Sequence, residues 1–144
     1  MTFLLVQLGF HVARRYGERL APLGLAQRHA GMLVRLAEND GTSQQAIGEL
    51  MGLNPTRMVF LVDELEQQGL VERRRNPVDR RSHALYLTGQ GRDKLREAQQ
   101  ASAAHEHEMV ASLTPAQRTE LAALLRQVAD DQGISEESLP GPPG

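Results

Sequence analysis

Apolar residues recur at helical spacing in two short runs near the middle of the chain. The first run comprises Ala46, Ile47, Leu50 and Met51, and the second comprises Met58, Leu61, Val62 and Leu65. Spacings of three and four residues place each set on one face of a helix. The pattern therefore predicts two consecutive short helices that share a core.

Capping residues predict where these two helices begin and end. Residues 42–45 have the spacing of a capping box, with Thr first and Gln three residues later. Gly52 suits the left-handed residue that ends a helix, and Asn54 followed by Pro55 supplies an N-cap and a favourable first helical residue. We expect Gly69 to end the second helix.

A change of pattern after the second helix predicts a β-hairpin. Residues 71–75 and 82–87 are the strand candidates, and residues 76–79, Asn-Pro-Val-Asp, have the composition of a turn. Two short helices followed by a hairpin have the layout of a winged helix-turn-helix. The predicted fold is therefore mainly α with a small β-hairpin wing.

Longer helix candidates flank this unit. Residues 3–20 are apolar at helical spacing, residues 90–112 are rich in alanine, and a third helix begins with a capping box at residues 114–117. The positions that the third helix should bury are Leu121, Leu124, Leu125 and Val128. Because a helix of more than about 20 residues spans ~30 Å, it outreaches so small a domain, and we expect dimerisation. The alternative is that these helices cap one monomeric domain.

Positive charge is concentrated in the predicted hairpin. Residues 72–83 hold five arginines and two carboxylates, a local charge of +3, whereas the whole chain carries −2 and the remainder therefore −5. A basic hairpin on an otherwise acidic chain indicates binding to phosphate groups. All basic residues except Lys94 are arginines, whose planar groups also reach base edges and narrow minor grooves. The pattern favours a DNA-binding regulator.

Composition narrows the other possibilities. The 144 residues suit one domain, and the absence of cysteine excludes disulfides, thiolate zinc sites and cysteine-based sensing. No apolar run reaches the ~18 residues that a membrane span needs, and the N-terminal apolar patch lacks a signal peptide's basic lead-in, so we expect a cytoplasmic protein. Without a phosphate loop, a metal pair or a nucleophile elbow, neither an enzyme nor a cofactor is expected.

Two segments resemble the MarR family of bacterial transcription regulators. They are residues 61–73, LVDELEQQGLVER, and residues 79–88, DRRSHALYLT, which contain the family's Asp-x-Arg wing pattern and a strand ending in Leu-Thr. Gly91 stands where the family has a glycine at the start of the next helix, and the resemblance extends over roughly residues 4–129.

The resemblance implies a domain organisation and a function. A single domain at 1–132 would hold a DNA-binding lobe at about 26–88 and dimerisation helices at about 3–22 and 90–130, with a disordered tail at 133–144. A homodimer would bind an inverted repeat, most simply as a repressor, with half-site centres roughly 10 base pairs apart. In the family the wing aspartate braces the arginine that enters the minor groove, here Asp79 and Arg81.

The candidate DNA contacts come from the second short helix, the helix starts and the wing. Arg57 is a candidate base reader, the alternative being a solvated charge near Glu64. Phe60 would either touch a thymine methyl group or pack under the wing. Residues at helix starts would meet phosphate. The full set is Ser43, Gln44, Asn54, Thr56, Arg57, Phe60, Arg73, Arg74, Arg75, Asp79, Arg80 and Arg81.

An effector pocket is suggested by a departure from the family. Residues 26–29, Ala-Gln-Arg-His, stand where the family has Thr-x-x-Gln, so both capping partners are missing, and Ala30 and Gly31 follow. Lost bulk there could open a cavity near His29, with His11 and Tyr16 facing it, and the resemblance implies a small aromatic acid as its ligand. The alternative is that neighbouring side chains fill the gap and His29 is a satisfied residue at the core edge.

The histidine pair at residues 105–108, His-Glu-His-Glu, suggests a metal site only weakly. Residues two apart point to different sides of a helix, so a solvated helix face is the preferred interpretation and no metal is expected. A metal-responsive regulator of the same family stays an alternative. The other is a winged-helix protein-interaction module, against which the cationic wing argues.

Overall fold

The computed structural model describes residues 1–134, which form helices and one antiparallel hairpin. The elements are α1 (Thr2–Leu20), a 3-10 turn (Ala21–Leu23), α2 (Gln27–Glu38), α3 (Gln44–Leu50), α4 (Pro55–Gln67), β1 (Val71–Arg75), β2 (His83–Leu87), α5 (Gly89–Met109) and α6 (Pro115–Asp131). The mainly α fold with a small β-hairpin wing is thus confirmed. The C-terminal tail prediction falls almost wholly outside the described residues.

The α3–α4 unit follows from local sequence chemistry. Asn54 Oδ1 accepts the N–H of Arg57 at 2.9 Å, Pro55 is the first residue of α4, and Gly52 has a φ of 65°. The predicted core positions of α4 are all buried: Met58, Leu61, Val62 and Leu65. The predicted N-cap of α3 was wrong by one residue, because Ser43, not Thr42, accepts the N–H of Ala46.

The wing is hydrogen-bonded to the segment that precedes α3. Its strands pair from Val71 opposite Leu87 to Arg75 opposite His83. Leu85 accepts the N–H of Gly41 at 2.8 Å and donates its own N–H to Thr42 at 2.9 Å. These two hydrogen bonds tie the hairpin to the start of the helix-turn-helix.

One core joins α2, α3, α4, the hairpin and the start of α5. Its fully buried side chains are leucine, methionine, valine and isoleucine. Gly91 lies where α5 crosses the hairpin base, and a Cβ there would be 2.0 Å from the Leu70 carbonyl oxygen. Only glycine fits this close approach of two backbones.

The terminal helices are packed differently. Among its described residues α1 buries Leu20 alone, and α6 buries none. The four α6 positions expected to be buried are 37–54% exposed in the single chain, so that prediction was wrong for one protomer. No helix within residues 1–134 is both long and apolar enough to cross a lipid bilayer.

Candidate nucleic-acid interface

The helix α4 is held on both of its flanks by ion pairs. On the flank towards α2, Glu64 accepts hydrogen bonds from Arg28 at 3.1 and 3.2 Å and lies 2.8 Å from Nε2 of His29. Arg28, and after it His29, lower the pKa of Glu64 below its ordinary value. The carboxylate is therefore charged and ties α4 to the start of α2.

On the opposite flank, Arg73 of β1 ties α4 to the wing. Its guanidinium contacts Asp63 at 2.6 Å and Glu66 at 2.5 Å, and its Nε donates to Gln44 Oε1 at 3.0 Å. The Arg73 side chain is only 18% exposed. Two residues expected to touch DNA, Arg73 and Gln44, are thus bonded to each other inside the protein.

Between these flanks, α4 presents one outward face. With 3.6 residues per turn, Thr56 and Phe60 lie opposite the buried face of the helix. Both are exposed, and Phe60 retains 66% of its surface, so the wing does not cover it. Arg57 is also exposed, and within residues 1–134 it has no ion-pair partner; Glu64, the neighbour suggested for it, pairs with Arg28 and His29 instead.

Two side-chain turns order the wing tip. Asn76 Oδ1 accepts the N–H of Val78, and Asp79 Oδ1 accepts the N–H of Arg81, each at 3.0 Å. The Ser82 N–H closes the turn onto the Asp79 carbonyl at 3.1 Å. Asp79 therefore contacts Arg81 through the backbone amide, which leaves the guanidinium of Arg81 exposed.

The wing arginines fall into two groups. Arg74 pairs with Glu72 and lies over the ring of Tyr86, 4.3 Å from its centroid. In the described part of the chain, no carboxylate pairs with the exposed side chains of Arg75, Arg80 or Arg81. Free cationic groups are thus concentrated at the wing tip and on α4.

The residues at the helix starts position those helices. Ser43 and Asn54 use their side-chain oxygens as N-caps, and Thr56 is exposed in the first turn of α4. Sequence reasoning missed Arg28, Asp63 and Glu66. Their charges were visible, but no local signal indicated that they would pair across elements.

The start of α2 corrects an expectation. His29 is buried, and its Nδ1 accepts the N–H of Ala26 at 2.9 Å, so it supplies one half of a capping box. Only the other half is missing, since alanine has no side-chain acceptor. Because Nδ1 accepts, the ring proton resides on Nε2 and is donated to Glu64.

The other suggested effector residues, His11 and Tyr16, are in different environments. His11 is exposed on α1, and Tyr16 stacks on His105 of α5 with ring centroids 5.6 Å apart. His105 is buried, so the expectation of a solvated helix face was wrong for this residue. His107 is exposed, and among residues 1–134 no group of three or more His, Asp or Glu is arranged to hold a metal ion.

Two buried nitrogens at the α1–α5 junction lack a hydrogen-bond partner in the described structure: Nε of Arg19 and Nε2 of His105. Arg19 also pairs with Glu108, which has its pKa lowered chiefly by that hydrogen bond. Sequence reasoning missed Arg19 because the junction is formed by distant segments. Buried polar nitrogens are nearly always satisfied, so this junction is a candidate for ligand binding.

Comparison with known proteins gives the family of this arrangement. The sequence model of the MarR family matches residues 27–83, from α2 to the first residue of β2. A MarR-family transcriptional regulator from Rhodococcus sp. RHA1 is 31% identical, with a TM-score of 0.76 over 89% of this chain and 91% of its own. A Thauera aromatica protein named for transcriptional regulation of the hcr operon is 31% identical over 130 residues, 85% of this chain and 78% of that protein.

The transcriptional repressor CouR is similar in two bound states. Its complex with a 23-mer DNA duplex is 32% identical, with a TM-score of 0.82 over 90% of this chain and 92% of its own. CouR from Rhodococcus jostii RHA1 bound to p-coumaroyl-CoA is 29% identical, with a TM-score of 0.73 over 89% of this chain and 90% of its own. These relatives are regulators, which confirms that the protein is not an enzyme. The chain belongs to the MarR family of transcriptional regulators.

Proposed function

We propose that the protein is a repressor that binds an inverted-repeat operator as a homodimer. The observation that carries this proposal is the surface formed by α4 and the wing. This surface combines the outward face of α4, which ion pairs hold to α2 and to the wing, with exposed arginines. No carboxylate of the described chain pairs with these arginines. The similarity to CouR bound to DNA supports the same interpretation. With DNA as its target, we place the protein in the bacterial cytoplasm.

The terminal helices supply the dimer contacts in this proposal. The apolar side chains of α1 and α6 are left exposed by the single chain, from Val12 at 37% to Phe3 at 76%. Contiguous apolar surface of this kind marks a site of association. A second copy that covers both helices would place two α4 helices on one side of the dimer, as an inverted repeat requires.

The DNA contacts divide by role. Arg57 and the outward face of α4 would read base edges in the major groove, and Arg81 would enter the minor groove, with Arg75 and Arg80 on phosphates. Arg73, Asp63 and Glu66 would instead set the distance between α4 and the wing. Ser43 and Asn54 would orient helix N-termini whose free N–H groups favour phosphate.

The test is selection of DNA from a randomised duplex library, followed by footprinting. We expect an inverted repeat with half-site centres roughly 10 base pairs apart. Arg57→Ala should relax the preference at one base pair at a cost of ~1–3 kcal/mol. Arg96→Ala removes the same charge from an exposed position on α5 and should leave binding unchanged. Protection of one asymmetric half-site by a monomer would contradict the proposal. A protein-interaction module would show no salt-dependent binding to the selected duplex.

A small aromatic, anionic effector is the second part of the proposal. The unpartnered nitrogens of Arg19 and His105 lie at a junction that also contains the Tyr16 ring, and CouR is known bound to p-coumaroyl-CoA. Binding that favours one lobe spacing over another by ~1–3 kcal/mol would weaken operator affinity about 5- to 150-fold. The effector would then relieve repression.

Calorimetry with p-coumarate and with p-coumaroyl-CoA tests this part. His105→Asn and His29→Asn, each checked for an unchanged melting profile, distinguish the α1–α5 junction from the pocket expected near His29. If the ligand no longer binds to the His29 variant but still binds to the His105 variant, the effector site lies at the start of α2 and not at the α1–α5 junction. Binding and operator release that survive in both variants would exclude both locations.

A further inference from the structure

The centre of the α4 surface is apolar, although its surroundings are charged. Phe60 lies in the middle of the outward face and is 66% exposed, and its neighbour Val59 is 42% exposed. Each carboxylate on the flanks has a partner: Asp63 and Glu66 pair with Arg73, and Glu64 pairs with Arg28 and accepts a hydrogen bond from His29. The part of α4 that would lie deepest in a groove therefore has no free carboxylate among these residues and a phenyl ring at its centre.

The orientation of this ring is set by the helix and not by a loop. Glu64 ties one flank of α4 to α2, while Arg73 of β1 pairs with Asp63 and Glu66 on the other flank. The helix also buries Met58, Leu61, Val62 and Leu65. Turning Phe60 towards the core would break both flanks, so the ring stays outward. An exposed aromatic ring is among the most effective groups for binding once it is covered.

We infer that Phe60 recognises the 5-methyl group of a thymine in the major groove of each half-site. A phenyl ring has no hydrogen-bond donor or acceptor, so it would leave the polar edge of guanine, adenine or cytosine desolvated and unpaired. The thymine methyl is the apolar group that a base pair exposes in the major groove. The ring is held within a cationic surface, which directs it to DNA and away from an apolar protein partner.

This inference rests on the proposed function and adds a chemical requirement to the operator. Each half-site has one thymine under α4 whose methyl group, and not only its hydrogen-bonding edge, contributes affinity. The minor groove does not offer this contact, because the thymine methyl faces the major groove.

The experiment uses the duplex selected from the randomised library and removes one methyl group at a time. Each thymine is replaced by deoxyuridine, which keeps base pairing and lacks only the methyl group. For the wild type we expect one position in each half-site to lose about fourfold in affinity, the effect of one buried methyl group. At that position, 5-methylcytosine should bind tighter than cytosine by a similar factor.

Two variants separate the ring from its neighbours. Phe60→Ala should bind the thymine and deoxyuridine duplexes equally, with an unchanged melting temperature because the ring is exposed. Val59→Ala shortens the adjacent exposed side chain and should keep the full methyl effect.

If the wild type selects an operator in which no thymine is methyl-sensitive, or if Phe60→Ala keeps the methyl effect, the role of Phe60 is overturned while the proposed function stands. If the wild type selects no sequence at all, the proposed function itself fails, and this inference fails with it.

Discussion

The DNA-binding lobe, α2 to β2, and the terminal helices α1 and α6 satisfy their apolar surface in opposite ways. The lobe buries its leucines, methionines and valines within one chain, and its Leu33, Leu36, Ile47 and Leu65 are fully buried. In α6 no residue is buried, and in α1 only Leu20 is. The lobe thus covers its apolar surface within one chain, together with Leu20 of α1 and the start of α5, whereas in the proposed dimer a second copy would cover the terminal helices.

Ion pairs between elements occur in both regions, but they join different elements. In the lobe, ion pairs cross between elements and hold α4 to α2 and to the wing. At the N-terminus, Arg14 and Arg15 pair with Glu18 of their own helix, and at its end Arg15 and Arg19 reach only to α5. These ion pairs thus fix α4 relative to α2 and the wing, whereas the geometry between two lobes would depend on how the copies pack in the proposed dimer.

The largest expected effect comes from the apolar face of α6. Leu124→Asp combined with Leu125→Asp should split the dimer, because two charges would be buried in its interface. Operator affinity should fall about 100-fold or more, since the second half-site no longer binds intramolecularly. Sedimentation and titration of the selected duplex measure the two effects.

Ala123→Asp is the matched control for this face. Residue 123 is exposed and lies two positions from Leu121 and Leu125, so it points to the other side of α6. It should leave the dimer and its affinity intact. A dimer that persists in the double leucine variant would contradict the proposal that a second copy covers the apolar face of α6.

An effect of comparable size, on stability and not on dimerisation, is expected within the lobe, at Gly91. An alanine Cβ there would be 2.0 Å from the Leu70 carbonyl oxygen, and moving two backbones apart should cost about 3 kcal/mol. The melting temperature should fall by roughly 10 °C. Gly89→Ala in the same helix meets nothing within 4 Å and should be neutral or slightly stabilising. A melting temperature for Gly91→Ala as high as that for Gly89→Ala would mean that α5 shifts to accommodate the added methyl group.

Substitutions should separate the wing arginines that bind DNA from Arg73, which pairs with α4. Arg81→Ala should cost ~1–3 kcal/mol of operator affinity without changing the melting temperature, and more than Arg80→Ala because Asp79 orders the backbone at Arg81. Arg73→Ala should lower stability by about 1–2 kcal/mol through its lost carboxylate and amide contacts.

Asp79→Ala should weaken DNA binding. Tighter binding by that variant would contradict the bracing role, since loss of a negative charge alone favours DNA.

Local signals account for what the sequence predicted well. The α3–α4 turn was found because Asn54, Pro55 and Gly52 act within four residues of each other. The N-cap of α3 was misplaced by one because Thr42 also fits a cap. The Thr42 carbonyl instead accepts the N–H of Leu85, and Ser43 pairs with Ala84, so tertiary pairing decided between two equivalent residues.

Contacts between distant segments account for what the sequence could not supply. The cluster of wing arginines was evident, but Arg73 is neutralised by α4 and Arg81 is not, and no spacing rule separates them. His105 was expected in solvent because its burial depends on Tyr16, 89 positions away in the chain. The α6 leucines share one helix face as their spacing predicted, but they are exposed in the single chain, and in the proposed dimer a second copy would cover them.

The smallest effect concerns the ion pairs that hold α4 to α2. Arg28 and His29 lower the folded-state pKa of Glu64 below its ordinary value of 4.5. A lowered folded pKa gives stability that is present above pH 4.5 and lost as pH falls through the folded value. Unfolding in denaturant, measured from pH 6 to pH 3, should therefore show a smaller acid loss, that is, a smaller fall in the free energy of unfolding, for Glu64→Gln than for the wild type.

Because the Glu64 side chain is 43% exposed, screening should keep the difference below about 1 kcal/mol. Arg28→Ala removes the larger cause and leaves His29, so its acid loss should fall between the two. An acid loss in Glu64→Gln equal to that of the wild type would show that this pair does not contribute to lobe stability, and that buried apolar contacts and the Arg73 cluster hold α4 in place.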